Sequence, residues 1–163
     1  SLSIVDARIY TTKNGMALDT FSFLDETGSA CDDEFRLAEV KKRLLQALCE
    51  PPADYIPVAT KLNRMQKSFD IPLEIKLFNP ENKTYTQLEV STLDQRGLLA
   101  NIAAVLFAAG TRTLLARIST IGERAEDILQ ITNNNLQPLN ELERQQLQQA
   151  LTEVLDNSSP ENS

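Results

Sequence analysis

The sequence predicts an α+β fold: antiparallel strands with helices on one face, built from two copies of a split βαβ unit of which the first is incomplete. Three observations carry this. A strand, turn and strand pattern occurs twice, about a hundred residues apart; an amphipathic helix follows each occurrence; a further strand, loop and helix precede the second occurrence alone.

In the first copy, Ala7, Arg8, Ile9, Tyr10 and Thr11 lead through a turn at Asn14 and Gly15 to Ala17, Leu18, Asp19, Thr20 and Phe21. Apolar and polar residues alternate on both sides of the turn, which is the period of a β-hairpin. Asp33 is placed to cap a helix whose apolar stripe runs through Leu37, Val40, Leu44 and Leu48. Pro51, Pro52, Pro57 and the polar residues up to Ser68 read as a linker. Leu73, Ile75 and Leu77 then alternate with charges as a strand before a turn at 79–82, and this strand is expected to be the fourth of the first copy.

The second copy opens with a strand over about 85–93, a loop of Asp94, Gln95, Arg96 and Gly97, and a helix on Leu98, Leu99, Ile102, Val105 and Leu106 that stops at Gly110. The hairpin pattern returns in Ala116, Arg117, Ile118, Ser119 and Thr120, a turn at Gly122 and Glu123, and Ala125, Glu126, Asp127, Ile128 and Leu129. Asn140 and Glu143 have the spacing of a capping box ahead of a stripe formed by Leu147, Ala150, Leu151, Val154 and Leu155. No fourth strand follows, so one sheet edge must be open, borrowed or covered. The expected division is a partial first copy over 1–78, lacking its first strand and helix and containing the linker at about 51–68, then a second copy over 84–155 and a disordered tail over 156–163. Ser1 is expected to fall inside the fold of a longer chain.

Composition narrows the function. With 163 residues and 42% apolar content the chain can bury a core, and a net charge of −7 without a basic run opposes nucleic-acid binding. An RNA-binding domain of this topology would show aromatics on its strands, and Tyr10 is the one aromatic at an exposed strand position. The apolar run over 98–109 is broken by Asn101 and is too short to cross a bilayer. Cys31 and Cys49 lack metal-ligand spacing and suit idle thiols in a reducing cytoplasm. There is no histidine, which removes the commonest general base and the most frequent zinc ligand. Acid pairs such as Asp32 with Asp33, or Glu126 with Asp127, read as caps or solvated faces, so no catalytic residue and no metal site are expected here. Two classes remain: a ligand-sensing module, or a module that only pairs with itself or another domain.

The stretch Leu93, Asp94, Gln95, Arg96, Gly97, Leu98, Leu99, Ala100 resembles the ligand loop of an ACT domain. Taken with Val5 to Thr11, Ala17 to Phe21 and Ala116 to Asp127, it is similar to the C-terminal tandem ACT-domain region of the bacterial PII uridylyltransferase/uridylyl-removing enzymes. The resemblance covers most of the chain and both hairpins. It implies ferredoxin-like βαββαβ ACT repeats within a parent that also carries a nucleotidyltransferase domain, using magnesium, and a metal-dependent hydrolase domain. For this region it implies no cofactor, a cytoplasmic regulatory role, glutamine as ligand and possible homodimerisation. The catalytic domains of the same parent and, through the parent, the PII nitrogen-signalling protein would be its partners.

The topology places the 94–97 loop and the 122–127 turn at one end of the sheet. Gly97 allows close backbone approach, and the amides opening the next helix suit an α-carboxylate. Asp94 either meets a ligand ammonium or caps that helix. The candidate ligand residues are Asp94, Gln95, Arg96, Gly97, Leu98 and Asp127, with Ser3 and Arg112, at matching strand starts, contributed from a neighbouring copy. Arg96 stands where the family commonly has proline, and Arg112 where it has small or polar residues. By parity, Arg8 and Arg117 leave the helix-covered face for solvent or another sheet, whereas Asp19 and Asp127 lie on it and need either a hydrogen-bond partner or a ligand.

Overall fold

Ala7 and Ile9 alternate with Arg8 and Tyr10, and a period of two is what an extended chain with one apolar face requires. The computed structural model describes residues 3–25, 28–29, 33–49 and 71–156. The expected linker, the tail beyond Asp156 and Cys31 lie outside the described residues. In chain order the elements are β1 (Ser3–Thr11), β2 (Ala17–Leu24), α1 (Glu34–Cys49), β3 (Glu74–Phe78), β4 (Thr86–Leu93), α2 (Leu98–Ala108), β5 (Arg112–Ile121), β6 (Arg124–Thr132) and α3 (Glu141–Asp156). All six strands form one antiparallel sheet in the order β2-β1-β5-β6-β4-β3.

The two copies are joined by backbone. β1 pairs with β5 so that Arg8 faces Arg117, Ala7 faces Ile118 and Ile9 faces Ala116. The repeated Ala-Arg-Ile therefore pairs with itself about a local pseudo-two-fold through the two arginines, each alanine facing the other copy's isoleucine. The two copies thus associate edge to edge within one sheet.

One assignment is corrected. The strand carrying Leu73, Ile75 and Leu77 does not complete the first copy: as β3 it pairs with β4, from Glu74 opposite Ser91 to Phe78 opposite Gln87. It occupies the position of the second copy's fourth strand, so the missing strand is supplied from in front of the unit rather than after it. A tight β3–β4 connection makes this pairing local, and local pairing carries a small loop-closure cost. The hairpin is pinned from outside as well. The buried Thr86 Oγ1 donates to Asn79 Oδ1 at 2.7 Å and accepts from Leu139 N–H at 2.8 Å, while Asn79 Nδ2 donates to the Leu139 carbonyl at 3.0 Å. Residues 74–78 thus belong with the second copy.

The core lies between one face of β4–β6 and the helices α2 and α3, where Leu88, Ile102, Ile131, Leu147 and Leu151 are fully buried. Leu73, Ile75 and Leu77 pack against that cluster from the edge. The helix ends follow the sequence. Asp33 Oδ1 accepts from the Phe35 and Arg36 amides at 3.0 and 3.2 Å. Asn140 Oδ1 accepts from Glu143 N–H at 2.9 Å while Glu143 Oε2 accepts from Asn140 N–H at 2.7 Å, a reciprocal capping box. At the end of α2, Thr111 N–H reaches Leu106 O and Gly110 N–H reaches Phe107 O, with Gly110 at φ 65°. That is the Schellman arrangement a glycine permits.

The first copy is covered differently. No residue of α1 is buried, and Leu18, Phe35, Leu44 and Leu48 are all exposed. Helix formation by α1 is therefore a matter of its cap and propensity rather than of packing. No helix among the described residues is long and apolar enough to cross a membrane.

Leu151→Ala, at a fully buried side chain, is expected to lower the unfolding free energy measured in urea by about 2–5 kcal/mol, whereas Leu44→Ala on α1 is expected to change it by less than about 0.5 kcal/mol.

Candidate functional site

β4 ends at Leu93, opposite Arg124, so the loop that follows it meets the turn between β5 and β6. Asp94 N–H donates to the Glu123 carbonyl at 2.7 Å, which ties the two together. The loop then closes as a turn, with Leu98 N–H on Gln95 O at 3.1 Å, before the first helical bond from Asn101 N–H to Gly97 O at 2.9 Å. Gly97 is the N-cap of α2 at φ 84°, and no side chain caps it. Of the two roles open to Asp94, that of helix cap is thereby removed. The left-handed conformation at Gly97 is what turns the chain from strand into helix, and it presents the opening amides of α2 at this end of the sheet.

Beneath the loop lies Asp127. Its neighbours across the sheet on the helix-covered face are Ile118 on β5 and Val90 on β4, and it is 1% exposed. One carboxylate oxygen, Oδ1, has no hydrogen-bond partner. Burial pushes this carboxyl up to about 7, the nearby charge of Asp94 adds to the rise, and the Ser119 backbone amide opposes it. Asp94 is raised as well, by burial first and by Glu123 second, against a backbone hydrogen bond from Gln95. Asp94 and Glu123, both half-buried, thus set negative charge beside the buried Asp127. At Asp127 such surroundings favour a proton or an ammonium partner over a lone ionised carboxylate.

The other sequence-predicted residues divide. Gln95 is half-buried and Arg96 exposed on the loop, but Leu98 is a core residue at 4% exposure and faces the sheet. Ser3 starts β1, which runs antiparallel to β5, and so its backbone lies at the same end of the sheet as the loop. Arg112 starts β5 opposite Thr132, at the other end. With ten residues in β5 and about 3.4 Å per residue, Arg112 lies roughly 30 Å from the 94–97 loop of its own chain. Glu123 joins this site through its carbonyl and its charge, although the sequence marks it only as a turn residue. Its only signal was membership of the turn expected to face the loop. Among the described residues no group of three or more acidic or cysteine side chains is arranged to hold a metal ion.

Gly97→Ala is expected to cost about 1–2 kcal/mol because it places a Cβ in a left-handed backbone, whereas Asp94→Ala, which removes no cap, is expected to cost less; thermal unfolding of the two variants side by side measures the difference.

Comparison with known proteins bears out the resemblance. The chain is 35% identical over 161 residues, 98% of its length, to a protein of Acinetobacter baumannii named bifunctional uridylyltransferase/uridylyl-removing enzyme. Proteins of the same name from Idiomarina loihiensis and Methylococcus capsulatus are 34% and 33% identical over 95% and 94% of the chain. In each case the chain spans only 18% of the relative's length, a domain-sized region. No protein-family model matches the chain, and no solved structure matches it significantly.

Proposed function

We propose that this chain is a regulatory, amino-acid-sensing region of a longer bifunctional enzyme that attaches uridylyl groups to the PII signalling protein and removes them, and that its ligand is glutamine. The observation that supports ligand binding is the unpartnered, buried Asp127 oxygen beneath the 94–97 loop. A buried carboxylate oxygen without a partner is costly, and an α-ammonium group would give Asp127 Oδ1 one while offsetting the nearby charge of Asp94. The opening amides of α2, with Gly97 leaving room, suit the α-carboxylate of the same ligand. Catalysis and any magnesium belong, on this reading, to the other four-fifths of the relatives' length. The runner-up is a ligand-free interaction module, favoured by the pairing of the two copies through β1 and β5.

Titration calorimetry with glutamine separates the two. Binding in the wild-type chain that Asp94→Ala and Asp127→Asn abolish or weaken at least tenfold, about 1.4 kcal/mol, supports the site. Heat absent at millimolar glutamine favours the interaction module, and binding unchanged in both variants places the ligand away from the 94–97 loop.

The protonation of Asp127 gives an independent check. Its folded value of about 7 exceeds the ordinary 3.8, so the folded chain holds a proton that the unfolded chain has already released. The resulting stabilisation is fully present below about pH 4 and is lost as pH rises through about 7. Asp127→Asn stays uncharged throughout, and its melting temperature is expected to fall less than that of the wild type over that window. An ammonium ligand prefers the ionised carboxylate, so glutamine binding is expected to tighten between about pH 6 and 8 and to release protons, seen by calorimetry in buffers of different ionisation enthalpy.

A further inference from the structure

The face of the sheet turned away from α2 and α3 carries rows of side chains set by the strand register. One row runs from Thr20 through Arg8, Arg117, Ile128 and Glu89 to Lys76. A neighbouring row begins at Leu18 and ends at Phe78, which are 67% and 41% exposed. Arg8 and Arg117 stand directly opposite each other across the β1–β5 seam, and like charges so placed are destabilising by themselves. The ion pair at that point is Arg8 Nε to an Asp6 carboxylate oxygen at 3.7 Å. The half of the face from β6 outward carries three glutamates against two cations, and one of these, Lys76, lies 3.9 Å from Glu74. A shallow depression of about 270 Å³ there is lined by Glu74, Glu89 and Glu126, with Lys76 and Arg124.

One half of the face is thus led by two arginines and the other by three glutamates. We propose that this face is where two copies of the chain meet, about a two-fold axis that runs along the strands between β5 and β6. That rotation keeps each row in place and reverses its order, so that β1 lies over β4 of the second copy and β2 over its β3. Arg8 then enters the second copy's depression above Glu89, and Leu18 lies over Phe78. The interface is isologous, so every such contact is made twice and no patch is left to extend a fibre. Sheets pack face to face within about 30° of alignment, which keeps the central strands over their partners. Six strands about 4.8 Å apart and some 20 Å of shared length give roughly 600 Å² of flat area, the same order as the about 800 Å² each partner contributes to a standard interface.

Sedimentation equilibrium of the 163-residue chain tests this with three variants: R8E, E89R and the double variant R8E/E89R. The wild type is expected to dimerise, more weakly as salt is raised. Each single variant is expected to raise the dissociation constant about tenfold or more, and the double variant, which restores opposite charges across the axis, to return it to within about threefold of wild type. Circular dichroism reports the folding of each variant, and E89R carries the single-variant readout should R8E fail to fold. A wild type that stays monomeric at every soluble concentration overturns the proposal. So does a dimer indifferent to R8E and E89R, which points to the exposed side of α1, and so does a double variant no tighter than the single ones, which points to an acidic partner of another kind for the arginines.

Discussion

The backbone ladder between β1 and β5 is the constraint on which the rest of the arrangement depends. It places the repeated Ala-Arg-Ile of one copy against that of the other, arginine to arginine. Without it, β5 would expose a row of unpaired amides and carbonyls along its outer edge. With it, the two strands of the first copy and the four of the second become one six-strand sheet, and every residue of the first hairpin acquires a defined position relative to the second. Antiparallel pairing of equivalent strands also sends equivalent ends in opposite directions. Ser3 therefore arrives near the 94–97 loop, and Arg112, its counterpart, lies at the far end.

The two copies provide a comparison that isolates what the loop and α2 do. Asp19 and Asp127 occupy the same place in the repeat: Asp19 faces Ile9, and Asp127 faces Ile118. Asp19 is exposed, while Asp127 is 1% exposed beneath its coverings. Same residue and same cross-strand neighbour give a solvated carboxylate in one case and a buried one, with an orphan oxygen, in the other. The strand sequence does not make the site; the β4–loop–α2 unit laid over it does. The chemistry proposed for the site, an ammonium held between carboxylates, depends on that exclusion of water.

Much of this was legible in the residues because it is local. Turn glycines, the Asp33 cap, the Asn140–Glu143 box and the stop at Gly110 are each decided by a few neighbouring positions, and strand parity put Arg8 and Arg117 on the open face. What escaped depends on pairing. Whether Leu73, Ile75 and Leu77 complete the unit before or after them cannot be read from alternation, which is the same for either partner. The capping role allowed for Asp94 failed because Gly97 took the cap position with its own backbone geometry. Leu98, counted with the ligand loop, turned inward with the first turn of α2.

The β1–β5 register is most directly tested by a pair of cysteines at facing positions. Replacing Arg8 and Arg117 with cysteine puts two thiols on the same face, directly opposite, where antiparallel neighbours have Cβ atoms about 4.5–5.5 Å apart. Under mild oxidation an intramolecular disulfide between positions 8 and 117 is expected, identified by mass spectrometry of the digested chain, while a control pair at 8 and 121 stays reduced. Crosslinking at 8 and 121 instead, or at neither pair in the folded monomer, would contradict the joining of the two copies on which the account rests.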